Sequence, residues 1–277
     1  MPELRGLVEL TRPVNAVAAG VLTLIGAYVA GGVVDAPLAA AAAGIATVLA
    51  VGAGNAINDY FDAVIDRINA PGRPIPRGAV TERGALWFSV VLFALAVAFA
   101  LTLPLLALGI AAFNLLALVA YTELFKGLPG VGNAVVAYLG GSTFLFGGAA
   151  VDGQLTTVVT LAALAALSTF TREVVKDVED LAGDREEGLN TLPIAIGERR
   201  ALLVGVACLA VAVLASPVPY VTGTLGLAYL ALVVPADLVM LAAAVEGFSD
   251  PTAGQTHLKY GMFLAAAAFV VGRAVPL

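Results

Sequence analysis

The chain has 277 residues, of which 60% are hydrophobic and 12% charged, with a mean hydropathy of +0.98. So few polar side chains cannot cover a globular surface in water, which excludes an ordinary soluble domain and points to an integral membrane protein. The net charge of −6 and pI near 4.8, with three lysines (Lys126, Lys176, Lys259), suit a salt-adapted organism. Nucleic acid is not expected as a partner.

In chain order, MPELRGLVELTRPVN carries Glu3 and Glu9 before the first apolar run. No small-residue cleavage site stands out there, so a removed signal peptide is not expected. Apolar stretches of about twenty residues then predict nine transmembrane helices, near 14–34, 37–58, 84–103, 105–121, 131–150, 155–173, 199–215, 218–244 and 258–276. Connections on one side hold Arg5, Arg12, Arg67, Arg73, Arg77, Arg83, Lys126, Arg172, Lys176, Arg185, Arg199, Arg200 and Lys259. Those on the other side hold Asp35, the Pro104 turn, Asp152 and the Pro217/Pro219 turn, and only Arg273 falls outside the pattern. The positive-inside rule predicts a multi-pass protein of the cell membrane with its N-terminus in the cytoplasm and its C-terminus outside. The single cysteine, Cys208, lies in an apolar run and reads as a small core residue. His257, in the last cytoplasmic connection, reads as a solvated loop residue.

Two long cytoplasmic connections are acidic at their start. One begins NAINDYFDAVIDR at Asn55 and the other EVVKDVEDLAGDR at Glu173. An offset of 118 residues lays Asn55 on Glu173, Asp59 on Asp177, Asp62 on Asp180, Asp66 on Asp184 and Arg67 on Arg185. The chain therefore reads as a single membrane domain over 1–277 built from two related halves, approximately 14–121 and 131–244, plus the helix at 258–276. Positions 55, 59, 62 and 66 step by four, three and four, so one continuous helix would carry all of them on one face. A carboxylate inside a membrane helix costs roughly 2.5–3.5 kcal/mol on insertion scales, and three on one face repel each other. Two such faces call for positive charge between them. Mg²⁺ suits oxygen ligands and is commonly held by one or two carboxylates plus substrate phosphates. A divalent-cation transporter is the alternative from another class. It is disfavoured because the acids sit at the cytoplasmic edge and not along a mid-membrane path.

Basic residues flank the same connections: Arg67, Arg73 and Arg77 in the first, Arg172, Lys176 and Arg185 in the second, and Lys126 in YTELFKGLPG. Fixed cations beside a metal are what a diphosphate and a second anionic substrate require. Arg67 and Arg185, next to the acids, are assigned to the diphosphate. Arg73 and Lys126, further from the acids in sequence, are assigned to the second anionic substrate. Phe144, Phe146 and Phe170 read as core packing in preference to a cation–π lining.

The segment N-x-x-x-D-x-x-D-x-x-x-D at Asn55–Asp66, with RPIPRG at Arg73–Gly78, resembles the UbiA-type intramembrane prenyltransferases. So do KDVEDLAGDREEGLNTLPIAIG at Lys176–Gly197, the RP-x-N opening at Arg12–Asn15 and YTELFK at Tyr121–Lys126. The resemblance implies an all-α bundle of nine transmembrane helices around a central cavity, capped by two acidic cytoplasmic loops. It also implies Mg²⁺-dependent transfer of a prenyl chain from a polyprenyl diphosphate. The implied metal set is Asn55, Asp59, Asp62, Asp66, Asp177, Asp180 and Asp184, the six aspartates being the catalytic groups. Arg12, Asn15, Tyr121, Tyr138 and the basic residues named above are the implied substrate contacts. The acceptor proton is left to a substrate phosphate, to Tyr121 or Tyr138, or to water. NAVVAYLGGSTFLFGG at Asn133–Gly148 is most similar to the branch that adds a second geranylgeranyl chain to a prenylated glycerol phosphate in archaeal ether lipids. That implies a lipid-phosphate acceptor in a lipid membrane. An aromatic acceptor of the quinone pathways is the alternative.

Overall fold

Prolines mark the helix starts in the computed structural model, which describes residues 2–275. Pro13, Pro37 and Pro251 each stand in the first turn of a long helix, where the missing N–H has no partner to lose. The first half comprises α1 (Pro2–Leu10), α2 (Pro13–Val29), α3 (Pro37–Phe61), α4 (Ala63–Asn69), α5 (Glu82–Ala100) and α6 (Leu105–Ala120). A π-helical turn, Tyr121–Phe125, continues α6. The second half comprises α7 (Val131–Ala150), α8 (Leu155–Glu179), α9 (Leu181–Glu186), α10 (Leu192–Ile196), α11 (Glu198–Ala215), α12 (Val218–Val221), α13 (Leu227–Glu246) and α14 (Pro251–Ala274).

The described chain is helical, as expected, and several boundaries move. The first long helix stops at Val29 and not near 34, because the backbone turns through Gly31 at φ 83. The run 218–244 divides into α12 and α13 at residues 222–226, where the backbone turns through Gly223 at φ 68. The last helix begins at Pro251, seven residues earlier than expected, and residue 276 of the expected span lies outside the described residues. Among the described residues, five helices (α3, α5, α8, α11 with α12, and α13) are long and apolar enough to cross a membrane. The number becomes six if the bent pair α1–α2 counts as one span. Large apolar side chains such as Val14, Leu38, Leu105 and Leu214 are exposed, as lipid-facing surfaces require.

The helices pack in a ring. α2 lies between α3 and α7, α7 packs on α8, and α8 meets α11 and α14, while α14 pairs with α13 and returns to α2. The α2–α7 crossing is held by two glycines. A Cβ on Gly26 would stand 2.1 Å from the Phe144 carbonyl oxygen, and one on Gly147 would stand 1.9 Å from that of Thr23. Beside it, Thr23 and Thr47 share a buried hydroxyl–hydroxyl bond of 2.9 Å that ties α2 to α3. The two acid-bearing helices α3 and α8 thus stand on either side of the α2–α7 pair.

Candidate active site

The acidic segments do not continue as one helix. α3 ends at Phe61 and α4 starts at Ala63, with Asp62 between them at φ −83 and ψ 1. α8 ends at Glu179 and α9 starts at Leu181, with Asp180 at φ −87 and ψ 4. Both aspartates occupy the bridge conformation, and the backbone ladder survives each bend. Asp62 and Asp66 donate their N–H groups to Asn58 and Asp62 at 2.9 Å, and Asp180 and Asp184 donate theirs to Lys176 and Asp180 at 2.9 and 3.0 Å. The continuous helix implied by the spacing is therefore interrupted at one residue in each segment, Asp62 and Asp180, while Arg73 still reaches both Asp59 and Asp66 across the first break. Both long helices have 25 residues and start 118 residues apart.

On the first segment two of the acids, Asp59 and Asp66, are buried and paired with arginine. Asp59 is 4% exposed and Asp66 5%. Arg12, in a left-handed conformation at φ 46 just before α2, donates from Nη2 to Asp59 Oδ1 at 2.7 Å. Arg73 donates from Nη1 to Asp66 Oδ2 at 2.6 Å and also lies 3.5 Å from Asp59 Oδ1. The loop folds Arg73 back over the acids because Ile75 and Val80 are buried with Leu10, Ala56 and Ala85. This reverses the expected division. Arg73 joins the acids, while Arg67 turns to Glu82 at 2.9 Å on the exposed start of α5. Arg77 bonds the Gly72 carbonyl at 3.0 Å and pairs with Glu9. Asn55 donates its amide to the Thr11 carbonyl at 2.9 Å, which leaves its Oδ1 unused.

On the second segment Asp177 accepts from Asn133 Nδ2 at 2.7 Å. Lys176 stands 3.8 Å from Asp180, and Lys126 3.8 Å from Glu187. Burial pushes the Asp184 carboxyl above its usual range, and repulsion from Asp180 and Glu187 adds to the rise. Arg172 is held between two helices, donating to Glu173 Oε1 at 2.8 Å and to Gln255 Oε1 of α14 at 2.9 Å, while its buried Nε has no partner. Arg185 and Asn15 are exposed. Tyr121 opens the π-helical turn, and Tyr138 stacks edge-on against Phe113 at 5.4 Å, between α6 and α7. Phe144 and Phe146 are core residues, as read from sequence. His257 lies on α14 and not in a loop, paired with Glu246 at 2.6 Å.

Sequence reasoning missed Asn133 and Gln255 as site residues. A signal for the first was present: Asn15-Ala16-Val17 recurs as Asn133-Ala134-Val135 at the same offset of 118. Gln255 carried no signal, because α14 was expected to begin beyond it.

One turn along α8 from Arg172, at Ser168, begins an interior cavity of about 100 Å³ walled mostly by apolar side chains of α7, α8, α11, α13 and α14. It shares Leu22, Phe263 and Ala266 with an apolar groove between α2 and α14.

Comparisons with known proteins bear on this arrangement. A Natronomonas pharaonis protein named digeranylgeranylglyceryl phosphate synthase is 65% identical over 273 residues, covering 99% of this chain and 98% of its own length. A protein of the same name from Thermococcus kodakarensis is 40% identical over 284 aligned positions, with 99% of each covered. A solved structure described as digeranylgeranylglyceryl phosphate synthase in membranes superposes with a TM-score of 0.85 at 35% identity, covering 99% of both chains. A UbiA homolog from Archaeoglobus fulgidus, solved with GPP and Mg²⁺, shares the fold at a TM-score of 0.71 and 18% identity, over 98% of this chain and 100% of that one. The UbiA prenyltransferase family model matches residues 19–267, and the chain belongs to that family.

Proposed function

We propose that this chain transfers a geranylgeranyl group from geranylgeranyl diphosphate to the glycerol hydroxyl of geranylgeranylglyceryl phosphate, the step that completes the two-chain core of archaeal ether lipids. The observation that carries the choice of acceptor is identity of 61–65% along nearly the whole length to proteins named digeranylgeranylglyceryl phosphate synthase. The site chemistry supports it, since two carboxylate-bearing segments, the first with Arg12 and Arg73 on its acids, suit a metal-bound diphosphate.

Among the described residues, no three acidic, histidine or cysteine side chains are grouped so as to hold one metal ion by themselves. Mg²⁺ does not require that, because substrate phosphate and water complete its six positions. The oxygen-only donor set fits such an ion: Asn55 Oδ1, Asp59, Asp62 and Asp66 on one bend, and Asp177, Asp180 and Asp184 on the other. Bound there with the donor, Mg²⁺ would neutralise diphosphate oxygens and ease the departure of the leaving group.

The chain supplies the rest. Arg12 and Arg73 hold Asp59 and Asp66 in place before substrate arrives, and their guanidinium groups stand ready as diphosphate donors. Asn133 fixes the rotamer of Asp177 from α7. Arg172, Lys176 and Lys126 supply positive charge on the second half for the acceptor phosphate. The apolar bundle interior houses the isoprenoid chain and keeps water away from the allylic cation at its C1.

We further propose nine membrane crossings, formed by α2, α3, α5, α6, α7, α8, α11, α13 and α14, with both acidic bends and the N-terminus cytoplasmic. The two halves are related repeats, an idea supported by the matching lengths and register of α3 and α8. Purified protein given geranylgeranyl diphosphate, geranylgeranylglyceryl phosphate and Mg²⁺ should release diphosphate in step with a product carrying two chains. No diphosphate release with that pair would reject the proposal.

A further inference from the structure

Asp237 is an ionisable residue that the proposed chemistry does not use. It sits halfway along α13, two residues after the internal Pro235, and is 6% exposed. Its Oδ2 accepts from Ser216 Oγ at 2.6 Å, and the Ser216 carbonyl accepts from the buried Tyr229 hydroxyl at 2.6 Å. Among the described residues Oδ1 has no hydrogen-bond partner. Both Asp237 and Ser216 line the interior cavity, whose other walls include Leu161, Leu164 and Ala212. An acid is costly among such neighbours and marks a functional site by default.

The cavity lies on the same stripe of α8 as the acids. Leu161, Leu164, Ala165, Ser168 and Thr169 line it, at helical spacing, and the stripe continues through Arg172 and Glu173 to Asp177. Thr169 and Leu161 precede Asp177 by eight and sixteen residues, which is about 12 and 24 Å along the axis at ~1.5 Å per residue. A chain of four isoprene units has a sixteen-carbon backbone and extends on the order of 20 Å at ordinary carbon–carbon bond lengths. With its C1 at the acids, the far end of such a chain falls inside this cavity.

We infer that the Asp237–Ser216 pair is a polar floor that limits the length of the donor's isoprenoid chain to four units. Four units end against the apolar walls. A fifth would press hydrocarbon onto a carboxyl that it cannot hydrogen-bond, and would strip whatever water reaches Oδ1. The inference rests on the reading of the acids as the diphosphate end.

The test uses the full chain in lipid nanodiscs with geranylgeranylglyceryl phosphate as acceptor. The ratio kcat/KM is measured for prenyl diphosphate donors of fifteen, twenty and twenty-five carbons. Asp237→Ala should raise the C25-to-C20 ratio at least about tenfold, the scale of discrimination that a hydrophobic pocket gives. Asp237→Asn, which keeps the shape and the bond from Ser216, should hold the wild-type ratio. If Asp237→Ala does not fold, Ala212→Phe, one turn before Ser216 on the same helix, fills the same cavity and should raise the C15-to-C20 ratio. Equal losses with every donor, or an unchanged C25-to-C20 ratio in Asp237→Ala, would overturn the inference. Absence of transfer by the wild-type chain with any donor would instead reject the proposed function on which it rests.

Discussion

At the residue scale, the acids of the two segments are the groups whose loss should matter most for turnover. Asp59 and Asp177 each accept a hydrogen bond that a neutral amide oxygen could still accept, from Arg12 in the first case and from Asn133 in the second. Asp59→Asn and Asp177→Asn should therefore fold while lowering kcat by at least about a hundredfold, on the scale of other charge-stabilising groups in active sites. Product quantitation beside a thermal melt checks both halves of that expectation, and activity near wild type in either variant would remove that aspartate from the ligand set. Arg73 tests the revised division of cations. Its bond to Asp66 and its approach to Asp59 set it beside the acids proposed to hold the metal-bound diphosphate. Arg73→Gln should raise KM for the donor about ten- to a hundredfold, the loss of one charge-assisted contact of roughly 1.5–3 kcal/mol. KM for the glycerol lipid should stay nearly unchanged, and the opposite pattern would restore the division read from sequence. The acids themselves were legible, because solvated helix ends alone do not account for two runs of carboxylates in one register 118 residues apart. The place of Arg73 was not, since it depends on Ile75 and Val80 burying a turn-rich loop against α1 and α3. No local spacing rule encodes that.

At the element scale, the bend at Asp62 and its counterpart at Asp180 set the site. Helical periodicity continued smoothly through both, so the sequence pattern carried the faces but not the break. The extent of α8 was also underestimated. The expected span is 155–173, yet the helix runs on for six residues to Glu179 and carries Lys176 and Asp177. What holds α3 and α8 at a fixed separation is the close packing of α2 on α7 between them. Gly147 is the tightest point of that crossing, where a Cβ would meet the Thr23 carbonyl oxygen. Gly147→Ala should destabilise the fold by at least about 1–3 kcal/mol, as overpacking does, and widen the spacing of the acids. A lowered melting temperature together with weakened donor binding is the expected pair of results. An unchanged melting temperature would mean that the crossing relaxes freely.

At the scale of the whole molecule, hydropathy and basic-residue placement made the membrane bundle readable, because lipid leaves so few ways to satisfy a backbone. The proposed sidedness rests on the same residues and is open to a direct check. In a Cys208→Ser background, a cysteine placed at Asp152 should react with a membrane-impermeant maleimide added to intact cells, and one placed at Glu187 should react only after lysis. Labelling of both from outside would reject the orientation. What the sequence pattern could not carry is the interior: the cavity and its Asp237–Ser216 floor join α11 to α13 through a contact between residues 21 positions apart. The central claim concerns what the two acidic bends act upon. The most direct measurement offers the purified chain geranylgeranylglyceryl phosphate and a hydroxybenzoate together, with geranylgeranyl diphosphate and Mg²⁺, and identifies products by mass spectrometry. The expected result is a glycerol phosphate carrying two geranylgeranyl chains, lost when Mg²⁺ is chelated and lost in Asp177→Asn. A prenylated hydroxybenzoate as the main product, or two-chain lipid formed equally well after chelation, would contradict it.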